Sequence, residues 1–434
     1  MNGNLCAELS TTHRLRKPQF VLKSKNMKEK TLRQAQGEKP DHRKLGEQLD
    51  LFSFHDVSPG AVFWHPKGMV IYKELEKLIR EENEKMGYGE VSTPILVKKE
   101  LWEKSGHWEK FKDNMFQFQI GNEAQGLKPM NCPEAHLIFA SRIRSYQDLP
   151  LRLAEPTGRL HRKEVSGSVG GLFRLYQFTQ DDAHIYCSPE QIEKEISSLL
   201  KLALKIHKMF GFKSFFRLAT KPDEALGSPR LWEKAEEALK TALKKSKVKY
   251  ELREKDGTFY GPKIDVNVTD SLEREWTIAT VQIDFQVPER FALEYVDKDG
   301  SRKRPVVIHR AMLGSFERFI GILLEHLNGA LPLWLSPEQI WIIPIASRNN
   351  KYAEKVAAEC NEAGFRYIVK DENETVAKKI REGEVQKIPY LLVVGDKEEK
   401  AKKVSVRQRG KGNLGQMKFD KFLQKVKREY DERG

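Results

Sequence analysis

Apolar residues recur along this chain at two different periods. Ile71, Leu75, Leu78 and Ile79 share one face of a helical repeat, predicting an amphipathic helix that ends near Gly87. Residues 89–94, Gly-Glu-Val-Ser-Thr-Pro, then read as a strand stopped by its proline. Ser188-Pro189-Glu190-Gln191 is a capping box with proline at the first helical position. The helix it opens carries Ile192, Ile196, Leu199 and Leu200. Strand-like runs follow at 215–218, 263–268 and 280–285, and another covers 172–182. Strands that do not alternate regularly with helices predict an α+β domain, an antiparallel sheet flanked by helices.

The pattern changes at 331–337, Leu-Pro-Leu-Trp-Leu-Ser-Pro. Beyond it, strands at 340–345, 366–370, 390–395 and 404–408 alternate with helices at 351–363, 376–382 and 419–430. That alternation predicts a compact α/β module. Ser336-Pro337-Glu338-Gln339 has the form of a second capping box, but the apolar run after it reads as strand, so it is taken as a decoy. Residues 1–40 are polar and basic without sustained apolar period and read as a disordered tail, with Met27 an alternative start. The expected organisation is therefore a tail over 1–40, one domain over 41–333 and a second over 334–434. No internal repeat is visible.

Composition narrows the class. With 39% hydrophobic and 32% charged residues in 434, this is the profile of a soluble globular protein. No apolar run approaches the roughly 20 residues needed to span a bilayer. The first residues lack the apolar core of a secretion signal, and the basic residues from Arg14 to Lys25 make an organellar leader only a minority reading. The formal charge of +14 and a pI near 9.3 favour a polyanionic partner. Cys6, Cys132, Cys187 and Cys360 lie far apart with no CxxC pair, which fits a reduced, cytoplasmic protein rather than a disulfide scaffold.

Three separated stretches carry candidate chemistry. Gly158-Arg159-Leu160-His161-Arg162-Lys163-Glu164 precedes a Ser/Gly loop and the run ending at Asp182, and Gly314-Ser315-Phe316-Glu317-Arg318-Phe319 opens an apolar helix. Forked guanidinium groups at Arg162, Arg174 and Arg318, with Glu164 among them, suit a bent polyphosphate and a purine amine. On a strand, Arg162 and Glu164 would share a face. Taken singly, the loop reads as a surface hairpin and Arg318 as a solvated side chain. Cys132, His184 and His309 are a soft thiol and two imidazoles from three segments; together they would leave one position open on a tetrahedral Zn²⁺. Alone, Cys132 before Pro133 reads as a small buried hydrophobe. Asp182 is placed for a substrate ammonium.

Taken in order, these residues resemble the class II aminoacyl-tRNA synthetases, and within them the threonyl-tRNA synthetases. The resemblance runs from Asp41-His42-Arg43-Lys44-Leu45-Gly46 to the C-terminus. Residues 90–94, 158–182 and 314–319 resemble the three class II motifs, and Met130-Asn131-Cys132-Pro133, residues 179–187, Phe259-Tyr260-Gly261-Pro262-Lys263 and Val307-Ile308-His309-Arg310 are the more specific marks. It implies a class II antiparallel catalytic domain followed by a class IIa anticodon-binding domain, and a homodimer. The expected reaction is ATP-dependent activation of L-threonine and its transfer to the 3′ end of tRNA(Thr), with Mg²⁺ accompanying ATP. Zinc would be held by Cys132, His184 and His309. Arg162, Glu164, Arg174, Phe178, Gln282, Ser315 and Arg318 would contact ATP, with Arg162 and Arg318 catalytic. Gln180, Asp182, Tyr260 and Gln282 would contact threonine. Asn373, Arg381, Lys387, Glu398 and Arg407 match positions that read the anticodon.

Two departures stand out. Thr277 occupies a position where the family usually carries glutamine. The stretch before Asp41 is too short for the family's editing domain, which implies no cis editing of Ser-tRNA and leaves room for a separate trans-editing protein. The rival readings are a non-catalytic, tRNA-binding regulatory paralogue and a class II enzyme charging serine or proline.

Overall fold

The computed structural model describes residues 39–163 and 169–433, and residues from Pro40 onward form one compact unit. The tail expected over 1–40 therefore lies almost wholly outside the described residues, as do Cys6, Glu164 and Ser166-Gly167-Ser168. No helix among the described residues is long and apolar enough to cross a membrane.

The first part carries helices α1 (His42–Gln48), α2 (Pro66–Lys85), α3 (Cys132–Ala140), α4 (Ile192–Met209), α5 (Pro229–Lys245) and α6 (Phe316–His326) among shorter turns. Besides short strands in smaller sheets, its strands, in chain order, are β1 (Gly89–Glu90), β2 (Leu151–Glu155), the hairpin β3 (Arg159–His161) and β4 (Gln177–Thr179), β5 (Asp182–Cys187), β6 (Lys213–Ala219), β7 (Tyr250–Arg253), β8 (Lys263–Thr269), β9 (Glu275–Asp284) and β10 (Val306–Ala311). Among the described residues, all of these except β3 and β4 join one eight-stranded sheet, ordered β7-β6-β8-β9-β10-β5-β2-β1. The interior pairs are antiparallel, and only the edge pairs β6–β7 and β1–β2 run parallel. The capping box forms as the sequence predicts, with Gln191 Oε1 accepting from the Ser188 amide at 2.9 Å. Behind it α4 buries Ile192, Ile196, Leu199 and Leu200 in the main core, together with Phe316, Phe319 and Ile320 of α6.

One expectation is corrected. Residues 172–182 are not a continuous strand: only β4 and the start of β5 are extended, and 172–176 form a turn. Leu172 and Leu175 point into the core three residues apart, a spacing a strand cannot present on one face. Likewise β3 ends at His161, although the Arg162 amide still donates to Tyr176 O at 2.8 Å and so continues the hairpin by one bond.

The second part is a five-stranded mixed sheet, β11 (Ile340–Pro344), β12 (Tyr367–Val369), β13 (Tyr390–Val394), β14 (Lys403–Gln408) and β15 (Gly412–Lys418), in the order β12-β11-β13-β14-β15. Helices α7 (Asn350–Glu362), α8 (Val376–Val385), α9 (Asp396–Ala401) and α10 (Phe419–Glu432) accompany it. It has a separate core around Ile340, Ile342, Leu392, Val406 and Phe422. Arg366 ties the two parts together, donating to Glu74 of α2 at 2.7 Å.

Candidate active site

Gln282, His309 and His184 face one another across three adjacent strands, one directly opposite the next in β9, β10 and β5. Directly opposed residues on antiparallel strands share a face, so the sheet itself assembles this row. The two imidazole centroids are 4.9 Å apart. Cys132 arrives from the first turn of α3, where Pro133 fits the start of a helix. One ligand atom from each of Cys132, His184 and His309 lies within 4.8 Å of the others, and all three side chains are buried.

The electrostatics of this cluster fit a divalent cation. Burial pushes the Cys132 thiol well above its ordinary pKa, and Asp182 adds to the effect. Burial, with His309 next in importance, pushes His184 well below its own, so one ring nitrogen keeps its lone pair available. A buried thiol is a poor anion until a metal draws off its proton. One soft sulfur and two borderline nitrogens suit zinc. Around them stand three residues that sequence reasoning missed. Asp284 Oδ2 lies 3.1 Å from His309 Nε2, His107 Nε2 lies 3.8 Å from Cys132 Sγ, and the His136 ring is 6.2 Å from that of His184. A signal existed for His136, since Cys132 and His136 are four apart on one helix face. Asp284 and His107 have no such mark.

A cavity of about 310 Å³ opens onto the row, lined by the three ligand-bearing residues together with Arg162, Gln180, Asp182, Tyr260 and Gln282. The Tyr260 hydroxyl donates to Gln282 Oε1, and Asn131 Nδ2 donates to Asp182 Oδ2 at 3.1 Å. Burial raises the Asp182 carboxyl to about 6, opposed by His309; an ammonium seated beside it would restore the carboxylate.

A second cavity of about 60 Å³ is lined by Phe178, Ser315 and Arg318, and it shares Arg162 and Gln180 with the first. The Arg162 guanidinium sits 5.1 Å from the Phe178 ring centroid. Ser315 caps α6, its Oγ accepting from the Arg318 amide at 3.1 Å, and Arg318 Nε donates to Phe173 O at 3.1 Å. The turn into the helix needs glycine: Gly314 has φ +73°, and a Cβ there would lie 2.9 Å from Ile278 O. A helix N-terminus beside two guanidinium groups is a site for phosphate. Arg174 sits on the neighbouring turn, half-buried, and lines neither cavity. Thr277 donates its hydroxyl to Asn267 Oδ1 at 2.7 Å.

In the second sheet, Asn373 and Arg381 are exposed before and on α8, and Lys387 follows that helix with φ +59°. Arg407 reaches Glu384 of α8 at 3.3 Å. Glu398 is different. It is buried, and its carboxylate accepts from the Gly395 amide, Ser405 Oγ and Gln416 Nε2 at 3.1, 2.9 and 2.7 Å.

Comparison with known proteins bears on the fold and the family. Residues 116–327 match the tRNA synthetase class II core domain (G, H, P, S and T), and residues 339–429 match the anticodon binding domain family. The structure of the RNA binding domain of threonyl-tRNA synthetase from Cryptosporidium parvum superimposes with a TM-score of 0.85 at 43% identity, covering 89% of this chain and 97% of that one. The chain belongs to the threonyl-tRNA synthetase family. Threonine–tRNA ligases of Caldanaerobacter subterraneus and Carboxydothermus hydrogenoformans are each 48% identical to it, over 91% and 92% of the chain. The chain spans 61% and 63% of the lengths of those two relatives. The class II core and the anticodon-binding fold expected from the sequence are thus both present in this family member.

Proposed function

We propose that the chain is a threonine–tRNA ligase, with a catalytic domain over 41–333 and an anticodon-binding domain over 334–434. The observation that carries this reading is that Arg162 lines both cavities, between the Cys/His/His cluster and the capped start of α6. An amino-acid carboxylate in the first cavity and an ATP α-phosphate in the second would meet at its guanidinium. The carboxylate oxygen attacks the α-phosphorus, the bond to the bridging oxygen breaks, and pyrophosphate leaves with the electron pair. Arg162 offsets charge on the pentacoordinate phosphorus, while Arg318 and the α6 N-terminus hold the departing phosphates with ATP-bound Mg²⁺. Asp182 and the Tyr260–Gln282 pair orient the amino group, and Phe178 supports the purine. The 3′-terminal ribose hydroxyl of tRNA(Thr) then attacks the activated carbonyl, releasing AMP.

Zinc held by Cys132, His184 and His309 would supply an open coordination position for the amino and hydroxyl groups of threonine. The exposed Arg381 and Asn373, with the half-buried Lys387 and Arg407, supply a surface for unstacked anticodon bases, and a homodimer is the expected assembly. Glu398 enters this picture through the fold of α9, given its three internal hydrogen bonds.

Amino-acid-dependent exchange of pyrophosphate into ATP tests the reading with threonine, serine, valine and proline. Strong exchange with threonine, followed by charging of tRNA(Thr), is the expected result. No exchange with any of the four would favour the regulatory paralogue, and preference for serine or proline would move the chain to another class II specificity.

A further inference from the structure

His42 lines neither cavity described above, yet it is buried and fully engaged. Its Nδ1 lies 2.6 Å from Glu325 Oε1 on α6, and its backbone amide donates to the same oxygen at 2.9 Å. Its Nε2 accepts from the Leu172 amide at 2.9 Å. A backbone N–H can only donate, so Nε2 carries the lone pair and Nδ1 the proton. The ring also packs at 4.2 Å against Phe173. Next to it, Gly171 has φ +55°, and a Cβ there would lie 2.1 Å from His42 Nε2.

What His42 grips is the turn that faces the nucleotide cavity. Phe173 lines that cavity, and its carbonyl accepts from Arg318 Nε. Its ring lies 4.6 Å from Trp276, with the Arg274 guanidinium over both. Arg274 in turn shares Glu325 with His42. One carboxylate on α6 thus holds both supports of the turn, and α6 also carries Arg318.

Asp41, His42 and Glu325 lie close enough to suggest a cation site. The hydrogen bonds favour another role: Nε2 is committed to Leu172, and Asp41 makes a two-pronged pair with Arg43 at 3.1 and 2.7 Å.

We propose that His42 is a positioning residue for ATP: its neutral imidazole fixes the Gly171–Leu172–Phe173 turn against α6 and so holds Arg318 at the outer phosphates. This rests on the ligase reading given above. The far end of α1 adds a connection, since Gln48 Nε2 donates to Val385 O of α8 at 3.1 Å and Gln386 Nε2 returns a bond to Gln48 O at 3.2 Å. The seven-residue helix spans from the ATP-facing turn to the second sheet's module.

The test substitutes His42→Asn, which keeps a donor toward Glu325 and loses the acceptor for Leu172. Calorimetry reads binding of a non-hydrolysable ATP analogue and, separately, of threonine; exchange kinetics read the two KM values, and amide hydrogen exchange reads Leu172. The expected result is about tenfold weaker ATP-analogue binding and a matching rise in KM for ATP, the effect of one lost hydrogen bond. Threonine affinity should hold and Leu172 should exchange faster. Gly171→Ala, which pushes the turn away with His42 intact, should give the same ATP-specific defect and decides the matter if His42→Asn does not fold. Unchanged ATP affinity in a folded variant, or equal losses for ATP and threonine, overturns the proposal while leaving the ligase reading in place. A parent chain that binds no ATP analogue overturns both.

Discussion

Asp284 holds His309 by one oxygen and the backbone by the other: Oδ2 lies 3.1 Å from His309 Nε2, while Oδ1 accepts the amides of Gln286 and Val287 at 2.8 and 2.9 Å. That arrangement fixes the plane of the imidazole. Asp284→Asn should weaken zinc retention about 10- to 100-fold, as loss of an outer carboxylate partner does elsewhere. Competition with a graded series of chelators measures it, and equal retention by parent and variant would count against this arrangement.

Purified chain should contain one zinc per subunit by elemental analysis. Cys132→Ala should abolish it and lower threonine-dependent exchange by at least about 100-fold, because two imidazoles without the thiolate form an incomplete site. Full exchange activity after metal is stripped would sink the assignment of the substrate-binding cation.

Arg162→Lys and Arg318→Lys separate geometry from charge. A lysine keeps the positive charge but loses the planar fork, so exchange should fall roughly 10²–10³-fold, of the order of losing one oriented donor in a transition state. Thermal unfolding should be unaltered. Retained activity in both variants would remove the arginines from the reaction.

Selectivity should be lopsided. Valine lacks the hydroxyl that an open zinc position would call for, and it should be activated roughly 10⁴-fold less well than threonine. Serine lacks only a methyl group, worth about 1–3 kcal/mol, and should lag by only ~10- to 200-fold. Comparing kcat/KM for exchange with the three amino acids checks both ratios.

Glu317 gives a pH signature in stability. Burial raises its carboxyl from 4.5 to about 7, with the Thr179 amide bond opposing the rise. The folded state thus favours the protonated acid, a preference present below pH 4.5 and lost as pH climbs to about 7. Relative to Glu317→Gln, the parent should lose up to about 3 kcal/mol between pH 4.5 and pH 8. Denaturant unfolding of both proteins at those two pH values measures the difference; parallel curves would show that the carboxyl does not titrate this way.

Much of this architecture is legible in the chain because it depends on local patterning. The Ser188–Gln191 box, the apolar face of α4 and the strand–helix alternation after residue 340 each follow from short-range periodicity. The decoy at 336–339 resolves the same way: Ser336 Oγ donates to Leu331 O and Pro332 O, and Gln339 Nε2 to Leu333 O, so neither caps a helix. β15 was invisible because Gly412 and Gly415 break any alternation. The turn at 172–176 was misread because β-forming residue types are held there by long-range contacts with His42 and α6. In the site, Cys132, His184 and His309 are nameable from residue type and family motif. Asp284, His107 and His42 acquire meaning only from neighbours distant in sequence, which no local pattern encodes.

The rung formed by Gln282, His309 and His184 has a bearing on how the molecule matures. Side chains alternate along a strand, so β10 zipped one residue out of step would turn His309 to the far side and offer Ile308 or Arg310 in its place. Neither can bind a cation there. Metal uptake during refolding should therefore lag behind collapse and coincide with correct alignment of the three central strands, making the ion a natural reporter of when the sheet has locked.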